Sequence, residues 1–269
     1  MCIVRKLYIW KRTSVEIEKN MNLLEFFNER NRASSLKSKF ETICNSSGFD
    51  IVKIGTDSKN NEIFYCKKVL DKKLPNLAIL AGLHGDEPAG PYGILNFLKN
   101  NLDQKYCNLF LIPLLNPHGF NRHIRRDANR SDMNRQWDDS NKKLINRLKK
   151  LFKGQDFDFT LSLHEDDSVD GFYVYGGKMI EKQQLTMIAD MLTKYLPPIE
   201  DGEIYGDPVF KGVVEANNED KPKHYKSLEF YFDKIKIPTV TVEISGSLPL
   251  EKRIKLYSHF LTKFIKHLI

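Results

Sequence analysis

From residue 77 onward, short apolar runs of strand length alternate with longer amphipathic stretches, and few folds can absorb that rhythm. The runs at 77–81, 108–115, 158–163 and 238–244 are apolar and in part β-branched, as strands buried within a sheet require. Helical patterns occupy 88–100, 138–152, 178–196, 227–234 and 250–268, the last with Ile254, Tyr257, Leu261, Phe264 and Leu268 on one face. Pro88 suits the first turn of its helix, and Pro197-Pro198 ends the helix of 178–196. A short strand is expected at 172–175, strands at 49–54 and 62–69 pair through the polar turn 57–61, and 199–224 reads as loop. The alternation predicts an α/β fold, a mixed, largely parallel sheet flanked by helices.

With 269 residues and no internal repeat, the chain is long enough for one domain with a sizeable core. Residues 1–47 are polar, and Leu23, Leu24, Phe26, Phe27 and Leu36 mark one or two amphipathic helices, so they are expected to form an N-terminal helical extension to a main domain of 48–269. The net charge of +7 comes from scattered lysine rather than a basic block, so nucleic acid is not an expected partner. Cys2, Cys44, Cys66 and Cys107 lie far apart without a CxxC pair and are expected to be reduced thiols, Cys66 and Cys107 within strands. The apolar run 7–10 is too short for a signal peptide and no stretch approaches a membrane span, so a cytoplasmic protein without a membrane partner is the expectation.

Polar residues cluster where the apolar runs end. His84-Gly85-Asp86-Glu87 follows the first, placing an imidazole and a carboxylate three residues apart, the first half of what a zinc site needs. Asn116-Pro117-His118-Gly119 and then a run of arginines to Asp132-Met133-Asn134-Arg135 follow the second. His164-Glu165-Asp166-Asp167 follows the third, and Glu243 sits inside the last. Each has an ordinary explanation. Glu87 could simply face a helix N-terminus, His164 could be a hydrogen-bonded core histidine, and Asn134-Arg135 could form a surface ion pair. Glu243 is the exception, because a carboxylate among Val240, Val242 and Ile244 is costly unless paired or beside a metal. Ligands bind beyond the carboxyl ends of strands in open α/β sheets, and four independent segments deliver such groups there.

The set as a whole resembles a known family. His84-Gly85-Asp86-Glu87-Pro88-Ala89-Gly90, Asn116-Pro117-x-Gly119, Arg125 followed by Asp132-Met133-Asn134-Arg135, Ser162-Leu163-His164-Glu165-Asp166 and Thr241-Val242-Glu243 come in the order of the M14 zinc carboxypeptidases and span 77–245. The similarity is to their compact bacterial branch, which is related to the succinylglutamate desuccinylase/aspartoacylase group. It implies a three-layer α/β/α catalytic domain holding one zinc ion on His84, Glu87 and His164, with the fourth position left for water. Glu243 would be the general base, and Arg125 would stabilise the oxyanion. Asn134 and Arg135 would bind the substrate's terminal carboxylate, Arg135 through two parallel hydrogen bonds.

The sequence departs from that pattern in places. Asp127 stands where the branch usually has Asn, and Arg130-Ser131 where a Gly-containing turn is usual, which leaves Arg126 as the alternative to Arg125. Tyr225 and Tyr231 are the candidates for the family's substrate-capping tyrosine. Asp166 and Asp167 could orient His164 or form a solvated turn. The resemblance implies a metallocarboxypeptidase that hydrolyses an amide next to a free carboxylate and releases a C-terminal amino acid. The alternative is an N-acyl amino acid deacylase of the succinylglutamate desuccinylase/aspartoacylase type. Such deacylases usually carry an extra β domain after the catalytic glutamate, whereas 26 residues (269 − 243) follow Glu243, which favours the carboxypeptidase form. A catalytically inactive binding protein ranks last, since it predicts loss of a ligand or of the base.

Overall fold

A computed structural model describes residues 32–139, 141–215 and 226–267. Its strands are β1 (Asp50–Thr56), β2 (Glu62–Lys68), β3 (Asn76–Ala81), β4 (Asn108–Ile112), β5 (Phe159–Asp166), β6 (Phe172–Gly176), β7 (Asp201–Ile204), β8 (Asp207–Phe210), β9 (Val213–Val214) and β10 (Thr239–Ser245). They form one mixed sheet in the order β1-β2-β4-β3-β5-β10-β6-β9-β8-β7. The centre, β4-β3-β5-β10, is parallel. Antiparallel β2 and β6 flank it on either side.

Parallel neighbours need crossovers, and helices supply them. The helices are α1 (Ala33–Ser47), which precedes the sheet, α2 (Ala89–Asn100), the single turn α3 (Pro117–Phe120), α4 (Lys143–Lys153), α5 (Lys182–Thr193), α6 (Leu228–Lys234) and α7 (Leu250–His267), which follows the last strand. Strand side chains alternate between two cores. Leu77, Ile79, Leu161, Leu163, Val240 and Val242 meet α1, α2, α5 and α7 on one face. Ala78, Leu80, Phe110 and Ile112 meet Trp137 and the apolar sides of α4 and α6 on the other. The layers are therefore helix, sheet, helix, as the alternation predicts. No helix among the described residues is long and apolar enough to cross a membrane.

Local chemistry explains where the elements differ from expectation. Helix α4 starts at 143 rather than 138 because the Asp139 side chain accepts from the Asn141 N–H at 2.8 Å, a local turn that competes with helix. Helix α5 starts at 182, where Glu181 and Gln184 form a reciprocal capping box. The stretch expected as loop holds β7, β8 and β9, which are too short to show a period and gain their apolar support from Tyr173 rather than from one another alone. Cys44, Cys66 and Cys107 are buried free thiols, with Cys107 one residue ahead of β4 rather than inside it.

Most of the expected N-terminal extension, residues 1–31, lies outside the described residues. Helix α1 buries Leu36, Phe40, Ile43 and Cys44 in the same core as the sheet, and Phe40 meets Phe64 of β2 edge-on at 5.9 Å between centroids. Gly48, at φ 73, ends the helix in the left-handed conformation that glycine adopts without strain. Phe40→Ala should lower the unfolding free energy by about 3–5 kcal/mol in denaturant titration. A loss below about 1 kcal/mol would show that α1 is only loosely docked.

Candidate metal centre

The four strand ends converge because of register and of one close backbone approach. Parallel pairing sets Glu243 of β10 beside His164 of β5 and Thr241 beside Ser162, so these four side chains leave the same face. The loop after β3 then packs on the loop after β4. A Cβ on Gly85 would fall 2.0 Å from the Gly119 carbonyl carbon, and one on Gly119 would fall 2.5 Å from the Ile124 oxygen. Both glycines are needed for the loop carrying His84 and Glu87 to meet the loop carrying Arg125. Asn116 holds the second loop closed, accepting from the Gly119 N–H at 2.9 Å and donating to the Arg125 carbonyl at 3.1 Å.

His84, Glu87 and His164 form a buried triangle, 3%, 5% and 2% exposed. Nδ1 of His84 lies 2.5 Å from one Glu87 oxygen, and Nδ1 of His164 lies 2.8 Å from the other. The opposite ring nitrogens are anchored, Nε2 of His84 on Asp132 at 3.3 Å and Nε2 of His164 on the Ser162 hydroxyl at 3.0 Å. Two borderline nitrogen donors and a carboxylate, within 4.8 Å of one another and fixed from behind, suit a divalent metal ion. The fit is good on the chemistry of the donors.

The charges tell the same story. Burial works to raise the Glu87 carboxyl, but the two imidazoles overcome it and hold it at about 2. Burial disfavours a charged His84, yet Glu87 and Asp132 outweigh it and raise the ring to about 9. The triangle thus draws positive charge to Glu87, by protons where no cation is present. Glu243 responds differently. Burial pushes it up to about 8, with Glu87, Asp166 and Glu229 adding to the rise and His164 opposing it. A cation on the three ligands would draw it back down.

A cavity of about 620 Å³ opens from the triangle, lined by Glu243, Thr241, Arg125, Asn134, Arg135 and Tyr205 among others. Arg125 is held by Asp132 through Nε at 3.1 Å, with Nη1 at 3.6 Å from Glu87. Arg126 instead donates to the Arg130 carbonyl at 3.0 Å within its own loop, so of the two arginines Arg125 is the one on the cavity wall. Asp127 organises that loop by accepting from Asn129, Ser131 and Gln136, and Arg130 adopts φ 61 where a glycine would be the natural choice. Asn134 accepts from the Leu228 N–H at 2.8 Å and donates one Nδ2 hydrogen to Glu229 at 3.3 Å, which leaves one donor for the cavity. Arg135 is exposed, with Nη1 on the Asn134 carbonyl at 2.8 Å.

Sequence reasoning missed several of these roles. Asp166 does not touch His164. It accepts from Ser168 and from the hydroxyls of Tyr173 at 2.5 Å and Tyr205 at 3.0 Å, while Asp132 and Ser162 anchor the two imidazoles. Glu165 is buried, accepts from the Ala89 N–H at 2.6 Å and is paired with Arg253, so it ties the start of α2 to α7. Tyr231 is buried in the core with its hydroxyl on the Lys149 carbonyl, which removes it as a capping residue, and Tyr225 lies outside the described residues. Tyr205 stands at the rim instead, 70% exposed at the β7–β8 turn. No motif marked it, because only the hairpin brings it to the cavity.

The family model for the succinylglutamate desuccinylase/aspartoacylase catalytic domain matches residues 73–257. No curated protein matches the chain. A candidate metallopeptidase of Shewanella baltica is similar at 25% identity and a TM-score of 0.76, over 90% of this chain and 95% of that one. A metallo-carboxypeptidase of Burkholderia cenocepacia, 14% identical, shares the fold at a TM-score of 0.68 over 86% of this chain and 67% of its own. A murein-tripeptide amidase of Escherichia coli O157, also 14% identical, shares it at 0.58 over 80% and 91%.

Asp132→Asn should weaken divalent-metal affinity by about 10- to 100-fold in a competition titration, with the circular dichroism unchanged. Unaltered affinity would remove Asp132 from the support of the His84 ring.

Proposed function

The chain belongs to the succinylglutamate desuccinylase/aspartoacylase catalytic-domain family, and on that premise we propose that it is a zinc-dependent hydrolase of amide bonds next to a free carboxylate, acting as a metallocarboxypeptidase that releases a C-terminal amino acid. One observation carries the reading: the Nδ1 atoms of His84 and His164 converge on Glu87 while Glu243, unconstrained by any ion pair among the described residues, stands beside His164 in the same cavity. His84, Glu87 and His164 would hold the ion, which when bound supplies Lewis acidity to the attacking water and the scissile carbonyl.

The protein's own groups divide the remaining work. Arg135, with the free donor of Asn134, takes the substrate carboxylate and so fixes which amide bond lies before Glu243. Arg125, held in place by Asp132, presents its remaining guanidinium hydrogens to the oxygen on which negative charge develops. The Glu243 carboxylate accepts the proton of the attacking water and passes it to the departing amine, a task suited to a carboxyl raised by burial. Tyr173 and Tyr175 are kept protonated by burial, with Glu243 adding to the effect, and line the cavity as neutral donors.

The family match also favours a second reading, N-acyl amino acid deacylation, in which the same groups act and the acyl side of the amide differs. A hydrolysis panel of C-terminally free peptides and N-acyl amino acids separates the two. Purified protein should hold about one zinc ion per chain by elemental analysis, and a chelator should abolish turnover. Metal-free protein with all three ligands intact would sink the zinc assignment. Glu243→Gln should retain the metal and lose about 100- to 10,000-fold in kcat; near-normal turnover would exclude Glu243 as the base.

A further inference from the structure

Lysines that look scattered along the sequence are gathered by α4. Six of the twelve residues from Lys142 to Lys153 are cations, and none is acidic. The apolar side of the helix, Ile145, Leu148 and Phe152, is buried against the sheet. The cations are left outside it, with Lys143, Arg147, Lys150 and Lys153 exposed and Lys142 and Lys149 half-buried.

This arrangement costs the helix stability. Lys143 and Arg147, like Lys149 and Lys153, stand four residues apart, and Lys150 is three from both Arg147 and Lys153, spacings that bring like charges together. Lys142 and Lys143 occupy the helix N-terminus, where the peptide dipoles already place positive charge. None of the six has an ion pair among the described residues, whereas Lys37 of α1 pairs with Glu41 and Glu62, and Lys255 of α7 with Glu251. The neighbouring helix adds charge. Lys149 lies with Nζ 5.5 Å from the centre of the Tyr231 ring of α6. Burial, with Lys234 of α6 and Lys153 adding to it against Asp138 and Asp139, holds the Lys149 ammonium below its ordinary value. An anionic partner would turn each of these repulsions into a gain.

The chemistry of the face selects among anionic partners. Its charges are spread along about 16 Å of helix. Five of the six are lysines, compact point charges, whereas recognition of the fixed phosphates of nucleic acid favours the planar fork of arginine. No large apolar or aromatic side chain of α4 or α6 is exposed among the described residues, so unpaired bases would have nothing to stack on. Mobile lipid headgroups demand neither, because they gather wherever a lysine stands. We propose that the outer face of α4, extended by Lys234, docks the protein on an anionic lipid surface. The contact is peripheral and needs no membrane span. It is also separate from the metal centre, whose cavity wall contains none of the six cations.

Sedimentation of the full chain with phosphatidylcholine vesicles that contain or lack phosphatidylglycerol tests this. At low salt the anionic vesicles should bind at least about tenfold more tightly, and the difference should shrink as salt is raised. Lys150→Gln combined with Lys153→Gln should weaken that binding at least about tenfold. Relieved of like-charged neighbours, this variant should melt no lower than the wild type, which separates a loss of binding from a loss of fold. Lys252→Gln combined with Lys266→Gln removes the same charge from α7 in the opposite layer and should weaken binding far less. Equal binding to the two kinds of vesicle would overturn the proposal, as would equal losses from the two double variants. A duplex oligonucleotide bound more tightly than the anionic vesicles at the same salt would overturn it too, and assign the face to nucleic acid.

Discussion

Glu87 lies between two buried imidazoles, each offering the same ring nitrogen, and most of the surrounding structure serves to keep that carboxylate and those rings in one place. Three buried ionisable groups are unfavourable company unless a charge of the right sign holds them together. The fold supplies the geometry from four directions: the strand end before His84, the start of α2 after Glu87, the parallel partner strands under His164 and Glu243, and the long loop that sends Asp132 back to the His84 ring. Changing any one of these would leave the other three arranged around nothing.

The parallel centre of the sheet matters for the same reason. In a parallel pair, residues in register leave the same face and their chains end at the same edge. His164 and Glu243, far apart in sequence, become neighbours without any loop having to reach. The flanking antiparallel strands do another job. Beyond β10, β6 carries Tyr173 and Tyr175 to the cavity wall, and the β7–β8 turn brings Tyr205 to its rim.

Much of this was legible in the sequence, and the part that was not has a common cause. Buried central strands announce themselves as apolar runs, so 77–81, 158–163 and 238–244 were visible, and with them the strand ends that carry His84, His164 and Glu243. The interruption of an apolar strand by Glu243 was itself a physical signal. What stayed hidden depends on contacts between distant segments. Nothing local distinguishes Arg125 from Arg126; only the closed loop turns one to the cavity and the other to a carbonyl. Asp166 and Ser162 are each two residues from His164 and leave the same face of β5, but Ser162 turns its hydroxyl to the ring while Asp166 is taken up by Ser168, Tyr173 and Tyr205. Strands β7 to β9 were missed because strands of two to four residues are too short to show a period.

Helix α7 reaches the centre at two points. Arg253 pairs with Glu165, which in turn receives the first N–H of α2, and the Tyr257 hydroxyl donates to the His164 and Val242 carbonyls. The two strands that bear His164 and Glu243 are thus clamped at their backbone by a helix that begins at residue 250. A substitution on this helix is therefore transmitted to the backbone beneath His164 and Glu243 although no atom of Tyr257 need reach the cavity.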